Sequence, residues 1–238
     1  MTLVDTPART DRFDELVERA RALATGRRRA VLGIAGAPGA GKTTVALALV
    51  RALAATPPHG LGPGWVAHVP MDGFHLADVE LDRLGRRDRK GAEDTFDADG
   101  YAALLHRLRA APPPGSGPVY APAFDREIEQ PVAGSVPVHE ECRLVVSEGN
   151  YLLLDEPRWR AARAACDAVW FHETDEELRV ERLVARHVHF GKTPEAAHAW
   201  VRRSDEPNAR LVAATRGRAD LVIALPDHAP GPLPGELS

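Results

Sequence analysis

The sequence predicts an α/β fold built on a doubly wound sheet of five parallel strands. Short apolar runs typical of buried strands lie near residues 30–35, 65–71, 143–148, 168–172 and 220–225. Stretches of helical periodicity separate these runs, which indicates parallel strands joined by helical crossovers. A glycine-rich turn follows the first run, and an acidic residue follows the second and ends the third. Together these observations predict the fold and the edge of the sheet that carries the function.

The composition limits the functions that the chain can have. With 30 Lys and Arg residues against 34 Asp and Glu residues, the 238-residue chain has a formal net charge of −4. That balance offers no general attraction to nucleic acid or anionic lipid, so we expect neither nucleic acid nor a membrane as a partner. Cys142 and Cys166 match no metal-binding or redox spacing, which favours a reducing, cytoplasmic setting.

The domain organisation is predicted to be simple. Residues 1–225 have a length that suits one α/β domain, and no internal repeat is visible. The last thirteen residues, 226–238, are rich in proline and glycine and are predicted to form a disordered tail. Residues 1–12 lack the apolar stretch of a secretory signal.

The first elements are an amphipathic helix and a buried strand. Apolar residues recur at helical spacing from Phe13 to Leu23, and Gly26 is placed to end that helix. The wholly apolar run 30–35 predicts the first strand, and residues 44–53 predict the next helix. Between that strand and that helix stands the sequence Gly36-Ala37-Pro38-Gly39-Ala40-Gly41-Lys42-Thr43.

This stretch reads G-x-x-x-x-G-K-T, and its place between a strand and a helix identifies it as a P-loop. Such a loop turns backbone N–H groups toward phosphate oxygens, and the positive end of the following helix adds a favourable field. Lys42 is expected to reach the β- and γ-phosphates, and the Thr43 hydroxyl to bind Mg²⁺. A purely structural glycine turn is disfavoured, because the whole motif and both flanks agree. The expected nucleotide-binding residues are Gly36, Ala37, Pro38, Gly39, Ala40, Gly41, Lys42, Thr43 and Thr44.

Acidic residues mark the ends of two further strands. Open parallel sheets bind their ligands beyond the carboxyl ends of the strands. Asp72, directly after the run 65–71, is therefore a candidate for chemistry, with a turn or helix-capping role as the alternative. Glu148 ends the run 143–148 at the place where a P-loop protein needs a carboxylate to order Mg²⁺. Asp is more usual at that place, so Glu148 departs from the general pattern.

The segment between these two strands is less regular. It predicts a short helix over 76–87 and a second helix over 99–110, separated by a polar, charged run. Proline interrupts the extended pieces 119–122 and 134–138, so we expect edge or hairpin strands there at most. After Glu148 the sequence predicts a helix over 156–166 and then the strand 168–172.

A helix predicted over residues 175–190 carries Arg179, Arg182 and Arg186 on one side, because residues three and four apart share a face. Thr193 and Pro194 open a second helix as an N-cap and a first-turn proline. The pair, over about residues 175–205, is predicted to form a lid before the last strand. The predicted fold is thus that of a P-loop NTPase with a helical lid.

The remaining motifs narrow the class of P-loop protein. The chain lacks the N-K-x-D signature of a GTPase, and its two D-x-x-G matches, at 88–91 and 97–100, do not follow strands. It also lacks the second glycine-rich signature of a transport ATPase. A kinase fits what remains, because Asp72 can orient an acceptor hydroxyl, Glu148 can order the metal, and an arginine-bearing lid can neutralise charge and exclude water.

A set of motifs in this order resembles the phosphoribulokinase/uridine kinase/pantothenate kinase family. Within it, the similarity is to the bacterial nucleoside/nucleotide kinase-like branch that includes the fructose transport system kinases. The motifs are Gly36–Thr43, Met71–Leu76, Arg89–Gly91, Thr95–Asp97, Phe124–Arg126, Glu148–Leu154 and Arg186–His187. The resemblance, with right-handed crossovers, places the P-loop strand between the strands that end at Glu148 and His172.

The resemblance also implies roles for single residues. Asp72 corresponds to the family's catalytic base, Glu148 to its Mg²⁺-holding acid, and Arg182 and Arg186 to its lid over the phosphates. The residues expected to contact the acceptor are Asp72, Phe74, His75, Arg89, Lys90, Phe124, Asp125, Arg126 and Tyr151. Two motifs depart from the family. Asp72-Gly73-Phe74-His75 stands where uridine kinases have Asp-Asp-Phe-Tyr, and Pro122-Ala123 stands where pantothenate kinases have a histidine.

The expected activity is an ATP- and Mg²⁺-dependent transfer of the γ-phosphate to a hydroxyl of a small polar metabolite, a sugar or a nucleoside. One alternative is a P-loop ATPase whose hydrolysis switches a protein partner, and another is a kinase with a pantothenate-like acceptor. The intact Lys42, Thr43, Asp72 and Glu148 argue against a degenerate nucleotide-binding module. The sequence leaves open the acceptor, the choice of ATP or GTP, and the oligomeric state, with a homodimer as one option.

Overall fold

The computed structural model describes residues 6–26, 28–111 and 113–226. The strands are β1 (Ala8–Thr10), β2 (Ala30–Ala35), β3 (Val66–Pro70), β4 (Val119–Asp125), β5 (Gln130–Val138), β6 (Leu144–Glu148), β7 (Ala168–His172) and β8 (Leu221–Ile223). The helices are α1 (Phe13–Ala24), α2 (Lys42–Ala55), α3 (Asp78–Arg83), α4 (Ala98–Ala110), α5 (Pro157–Ala165), α6 (Glu176–His189), α7 (Pro194–Trp200) and α8 (Glu206–Ala213). The tail predicted to be disordered, 226–238, lies outside the described residues apart from Pro226.

Six parallel strands form the central sheet, in the order β1-β8-β7-β2-β6-β3. The P-loop strand β2 lies between β6 and β7, with Ile34 opposite both Glu148 and Trp170. This confirms the predicted parallel, doubly wound sheet and the central place of its P-loop strand. Pro70 of β3 lies opposite Glu148 of β6, so Asp72 and Glu148 follow neighbouring strands at one edge of the sheet.

The sheet has one strand more than the sequence predicted. Residues Ala8–Thr10 form β1, which pairs with β8 at the edge. The missed strand is three residues long and only Thr10 is buried, so it carries no alternating or apolar pattern. Hydrogen bonds hold it in place: the Thr10 carbonyl accepts one from Ala224 N at 2.9 Å, and the Thr10 hydroxyl donates one to Glu15 at 2.6 Å.

Helices cover both faces of the sheet. Alternation along β2 sends Leu32 and Ile34 to one face and Val31 to the other, and every residue of the strand is buried. On the first face they pack with apolar residues of α1 and α2, and on the second Val31 packs with residues of α4 and α5. Burial on both faces explains the continuous apolar runs of the central strands. Among the described residues no helix combines the length and the apolarity needed to cross a membrane.

The hairpin β4–β5 forms a second, two-stranded antiparallel sheet. Asp125 lies opposite Gln130 at its turn, and the register shifts between Ala121 and Ala123. The extended pieces predicted at 119–122 and 134–138 are therefore confirmed as strands. Both strands are longer than predicted. A Cβ atom on Gly73 would lie 2.4 Å from the Pro122 carbonyl oxygen, so β4 lies directly against the turn that carries Asp72.

Candidate active site

The P-loop joins the end of β2 to the start of α2. Gly39 has a φ of 78° and Gly41 a φ of 87°, in the left-handed region that favours glycine. A Cβ atom on Gly39 would also lie 2.7 Å from Leu183 Cγ of α6, so the loop has no room for a side chain there. These contacts set the loop between the sheet and the helix predicted to form the lid.

Lys42 is the first residue of α2 and is 8% exposed. Its ammonium donates a hydrogen bond to the Ala37 carbonyl at 3.0 Å, across the P-loop. Burial lowers the pKa of Lys42 to about 8, although the charges of Glu148 and Asp72 act in the opposite direction. The lysine thus lies across the loop, and the contact with phosphate that the P-loop motif predicts for it stays a prediction.

Thr43 and Glu148 lie in contact at the same edge of the sheet. The Thr43 hydroxyl donates a hydrogen bond to Glu148 Oε1 at 3.1 Å, and Glu148 is 4% exposed. Burial and the charge of Asp72 raise the pKa of Glu148 to about 7. A cation beside this carboxylate would stabilise its charged form, since an opposite charge nearby offsets the loss of hydration.

This pair fits a Mg²⁺ site that is completed by a nucleotide. Within residues 6–26, 28–111 and 113–226, no group of three or more His, Cys, Asp and Glu side chains is placed to hold a metal ion by itself. Mg²⁺ commonly takes only one or two protein carboxylates and completes its shell with phosphate oxygens and water. Thr43 and Glu148 supply donors of that kind, and the predicted metal role of both residues stays a prediction.

His68 belongs to this part of the site and was missed by the sequence analysis. It lies on β3, and its Nε2 atom is 3.8 Å from Glu148 Oε1. Burial lowers the pKa of His68 to about 4, so the imidazole is neutral at physiological pH. The available signal was a polar residue inside a buried strand, three positions before the strand-following Met71. That signal is weak, because solitary histidines are common in such strands.

Asp72 lies in the helical turn Met71–Phe74 directly after β3. Its Oδ2 atom accepts a hydrogen bond from Arg126 Nη2 at 3.2 Å. Desolvation acts to raise the pKa of Asp72, but the neighbouring positive charges, among them Arg126 and Lys42, lower it overall. The carboxylate is therefore ionised and able to accept a proton. The Asp72 carbonyl accepts hydrogen bonds from His75 N at 3.2 Å and His75 Nδ1 at 2.8 Å, which fixes the turn.

A buried chain of hydrogen bonds links α4 to the neighbouring strands β6, which ends at Glu148, and β3, which precedes Asp72. The Ser147 hydroxyl of β6 donates to the Val69 carbonyl of β3 at 2.5 Å. Ser147 Oγ in turn lies 2.6 Å from the Tyr101 hydroxyl of α4, which therefore acts as donor. Beyond the strands, a Cβ atom on Gly149 would lie 2.4 Å from Met71 Sδ. The two acid-bearing turns thus pack directly on each other.

The residues predicted to contact the acceptor fall into two groups. His75 and Phe124 stack beside Asp72, with ring centroids 4.7 Å apart, and Arg126 completes this wall. The others have partners within the protein. Phe74 packs on Tyr101, and the Tyr151 hydroxyl donates to the Gly91 carbonyl. Two cations form ion pairs, Arg89 with Asp94 and Lys90 with Asp78. Asp125 accepts hydrogen bonds from the backbone of its own turn. Their contact with an acceptor stays a prediction.

Helix α6 brings the predicted lid arginines to the P-loop. Arg182 Nη1 lies 3.5 Å from where a Cβ atom on Gly41 would be. Arg186 lies one turn further along; burial and the charge of Arg126 lower its pKa, against the charges of Asp205 and Asp72. Arg126 and Arg186 therefore approach Asp72 from two different elements.

The third arginine of this face, Arg179, has a structural partner. It is 5% exposed, forms an ion pair with Glu206 of α8, and donates to the Pro38 carbonyl at 3.4 Å. A second link joins the same elements, because His187 Nε2 lies 2.9 Å from Asp205 Oδ2. Asp205 ends a π-helical turn, Val201–Asp205, between α7 and α8. Such turns often occur at functional sites.

The comparison with known proteins agrees with this geometry. The model of the phosphoribulokinase/uridine kinase family matches residues 31–228. The chain belongs to this family. It is 33% identical over 226 residues to a protein of Schizosaccharomyces pombe named "putative uridine kinase", covering 92% of this chain and 93% of that protein. It is 40% identical over 133 residues to an "ATP-dependent kinase-like protein" of Aspergillus versicolor, covering 54% of this chain and 77% of that protein.

A solved structure shows the same fold. The crystal structure of a "putative fructose transport system kinase" from Silicibacter sp. TM1040 superposes with a TM-score of 0.77 at 37% identity, covering 89% of this chain and 98% of that chain. The protein is therefore a P-loop small-molecule kinase. In this kinase the P-loop, Asp72 and the Thr43–Glu148 pair lie at one edge of the sheet. An arrangement of this kind is the one that phosphoryl transfer requires.

Proposed function

We propose that this kinase transfers the γ-phosphoryl group of ATP, in the presence of Mg²⁺, to a hydroxyl group of a small polar metabolite. One observation carries the proposal: Asp72, whose pKa is lowered by neighbouring positive charges, pairs with Arg126 at the sheet edge that also holds Lys42 and the Thr43–Glu148 pair, and Arg186 is close enough for its charge to act on Asp72. A base, a phosphate clamp and a metal-ordering acid at one edge are the groups that phosphoryl transfer requires.

In this proposal the P-loop binds the phosphates of ATP. Backbone N–H groups of the loop and the N-terminus of α2 face the phosphate oxygens, and Lys42 binds the β- and γ-phosphates. Thr43 and Glu148 would hold Mg²⁺, which neutralises charge on the phosphates. Arg182, close to Gly41, adds positive charge at the mouth of the loop.

Asp72 then acts on the acceptor. Its carboxylate takes the proton of the acceptor hydroxyl while the hydroxyl oxygen forms a bond to the γ-phosphorus. The bond between that phosphorus and the bridging oxygen breaks, and ADP leaves with the electron pair. Arg186 stabilises the charge that spreads over the transferred group, as arginines do in related transfers.

The test is to follow phosphorylated product by mass spectrometry and ADP release over a panel of sugars, polyols, nucleosides, hydroxy acids and pantothenate. Asp72→Asn keeps the size of the side chain but cannot take the proton. We expect kcat to fall by roughly 10²–10⁴, the usual contribution of a positioned base, with ATP affinity nearly unchanged. Asp99→Asn, at an exposed position of α4, is the matched control and should leave kcat unchanged.

Two results would contradict the proposal. ADP release that no acceptor accelerates, in wild-type protein and Asp72→Asn alike, would indicate an ATPase rather than a kinase. Activity of Asp72→Asn restored by excess Mg²⁺ would make Asp72 a metal-ordering residue rather than the base.

A further inference from the structure

The hairpin β4–β5 places one arginine, Arg126, at the reacting edge of the sheet. Arg126 directly follows β4, and Asp125 Oδ1 accepts hydrogen bonds from Glu127 N at 2.9 Å and Ile128 N at 3.2 Å, which fixes this turn. The guanidinium of Arg126 lies 5.8 Å from the centre of the Phe124 ring. Its position is thus set by the turn and the ring.

The partner of Arg126 is the proposed catalytic base itself. Arg126 Nη2 donates to Asp72 Oδ2 at 3.2 Å, and the side chain of Arg126 is 40% exposed. When Asp72 turns to an acceptor hydroxyl, it shares its charge with that hydroxyl and binds Arg126 less strongly. Because the Arg126 side chain is 40% exposed, its guanidinium can also be reached by an anionic group that enters with the acceptor.

The other cations near Asp72 are engaged away from the expected acceptor or are assigned to the nucleotide. Lys90 Nζ, 5.2 Å from the centre of the Phe124 ring, pairs with Asp78 Oδ1 at 2.7 Å. In the proposed function Lys42 is assigned to the phosphates of ATP, and the charge of Asp205 acts on Arg186. Arg126 is therefore the cation of this wall whose charge a bound acceptor is best placed to balance.

We infer that Arg126 binds an anionic group of the acceptor, so that the substrate is a small hydroxylated carboxylate or a sugar phosphate rather than a neutral sugar or nucleoside. This inference rests on the proposed kinase function of the same site. Arginine suits the task, because its planar guanidinium binds carboxylate and phosphate groups through two parallel hydrogen bonds.

The geometry also limits where the anion sits on the acceptor. Arg126 and Asp72 are in direct contact, so the anionic group and the reacting hydroxyl must lie on nearby carbons of one compact molecule. The rings of His75 and Phe124, stacked at 4.7 Å beside this pair, offer an apolar wall to the carbon skeleton. Phe96 extends the wall, with its centroid 4.1 Å from that of His75.

The test compares acceptors that differ only in the anion: glycerate against glycerol, gluconate against glucitol, and a pentose phosphate against the free pentose. Initial rates of phosphorylation are measured at saturating ATP for wild type, Arg126→Gln, Arg126→Lys and Arg83→Gln. Arg83 is exposed on α3 and pairs with Glu80, so its variant is the matched control. Thermal unfolding and ATP affinity of each variant show that it is folded.

For wild type and Arg83→Gln we expect kcat/KM to be higher for the anionic member of a pair. Arg126→Gln should raise KM for that member by roughly 10- to 100-fold, the usual worth of a charged hydrogen bond, with a smaller change in kcat. Loss of the contact with Asp72 should affect both members, but KM should rise much less for the neutral member, and Arg126→Lys should recover part of the loss for the anionic one. Whether the carboxylate or the phosphate pairs give the higher kcat/KM identifies which anion is bound.

Three other outcomes would overturn the inference. The inference would be wrong if kcat/KM were equal or higher for the neutral acceptors and Arg126→Gln did not change it. The proposed kinase function would then still stand. An equal loss of kcat for both members of a pair would mean that Arg126 acts on the transferred phosphoryl group. ATP hydrolysis with phosphorylation of no acceptor in either panel would overturn the inference and the kinase function together.

Discussion

The hydroxyl of Thr43 and the carboxylate of Glu148 lie 3.1 Å apart, joining α2 to the end of β6. The contact depends on the central position of β2, which pairs with β6 so that Ile34 lies opposite Glu148. A threonine and an acid from distant parts of the sequence thus meet because parallel strands end at the same edge. If both are metal ligands, loss of one must appear in the metal dependence of the enzyme.

The first prediction concerns Thr43. Thr43→Ala removes the hydroxyl but little else, so we expect the Mg²⁺ concentration for half-maximal activity to rise by about 10-fold or more, within the range seen when metal sites lose a supporting group. Thr43→Ser keeps the hydroxyl and should stay near the wild-type value. The measurement is a Mg²⁺ titration of initial rate at fixed ATP. An unchanged Mg²⁺ requirement in Thr43→Ala would remove Thr43 from the metal site.

The second prediction concerns the pH dependence of stability. Burial raises the pKa of Glu148 from 4.5 to about 7. Between these values the folded protein keeps a proton that the unfolded chain has released, so stability contributed by this group falls as pH rises from 4.5 to about 7 and is constant above. The difference corresponds to about 3 kcal/mol at 1.36 kcal/mol per pKa unit.

At about pH 8, Glu148→Gln should therefore unfold at a higher urea concentration than wild type. Its free energy of unfolding should be higher by about 1–3 kcal/mol, and this difference should shrink toward about pH 5. The comparison is made by urea unfolding in chelator without nucleotide, so that no bound cation compensates the charge. The same variant should lose activity with ATP and Mg²⁺. If the free energy of unfolding depends on pH in the same way for the two proteins, burial does not raise the pKa of Glu148.

The third prediction concerns Lys42. Lys42→Ala should lower kcat/KM by at least roughly 100-fold, the scale on which single donors to a transition-state charge act. The fold should persist, because the ammonium donates to the Ala37 carbonyl rather than packing in the apolar core. Thermal unfolding measured beside turnover separates the two effects. Arg51→Ala, on an exposed part of the same helix, is the control, and loss of activity there too would point to damage of α2.

The sequence predicted the parts of this protein that are local or strongly patterned. The P-loop, Asp72 and Glu148 follow directly from a motif and from the rule that strand ends carry function, and the central strands from their apolar runs. β1 could not be predicted, because its three residues are held by pairing with β8 rather than by a pattern of their own. β4 and β5 are longer than predicted, because the prediction treats proline as a break in a strand. Both strands of a two-stranded sheet are edge strands, and these tolerate proline.

Side-chain partners were harder to predict than backbone elements. The sequence placed Arg89, Lys90 and Arg126 together as acceptor contacts by resemblance. The structure shows that two of them pair with Asp94 and Asp78, whereas Arg126 reaches Asp72 from the hairpin turn. Which arginine faces the site depends on how the hairpin packs against the turn at Gly73, and no local pattern encodes that contact.

The last prediction separates the two lid arginines. Arg182 lies beside Gly41 of the P-loop, where in the proposed function the phosphates of ground-state ATP would lie. Arg186 lies one turn further along α6, where the charges of Arg126 and Asp72 act on it, and in the proposed function charge develops there during transfer. Arg182→Gln should thus mainly weaken ATP binding, whereas Arg186→Gln should lower kcat more than it changes ATP affinity.

The measurement is ATP affinity by calorimetry together with steady-state kinetics for both variants, with Arg202→Gln, at an exposed position of the π-helical turn, as the control. Equal losses of ATP affinity in Arg182→Gln and Arg186→Gln would contradict the division of roles. Both arginines would then act in ground-state nucleotide binding. Lys42 and Arg126 would be the residues that stabilise the charge of the transition state.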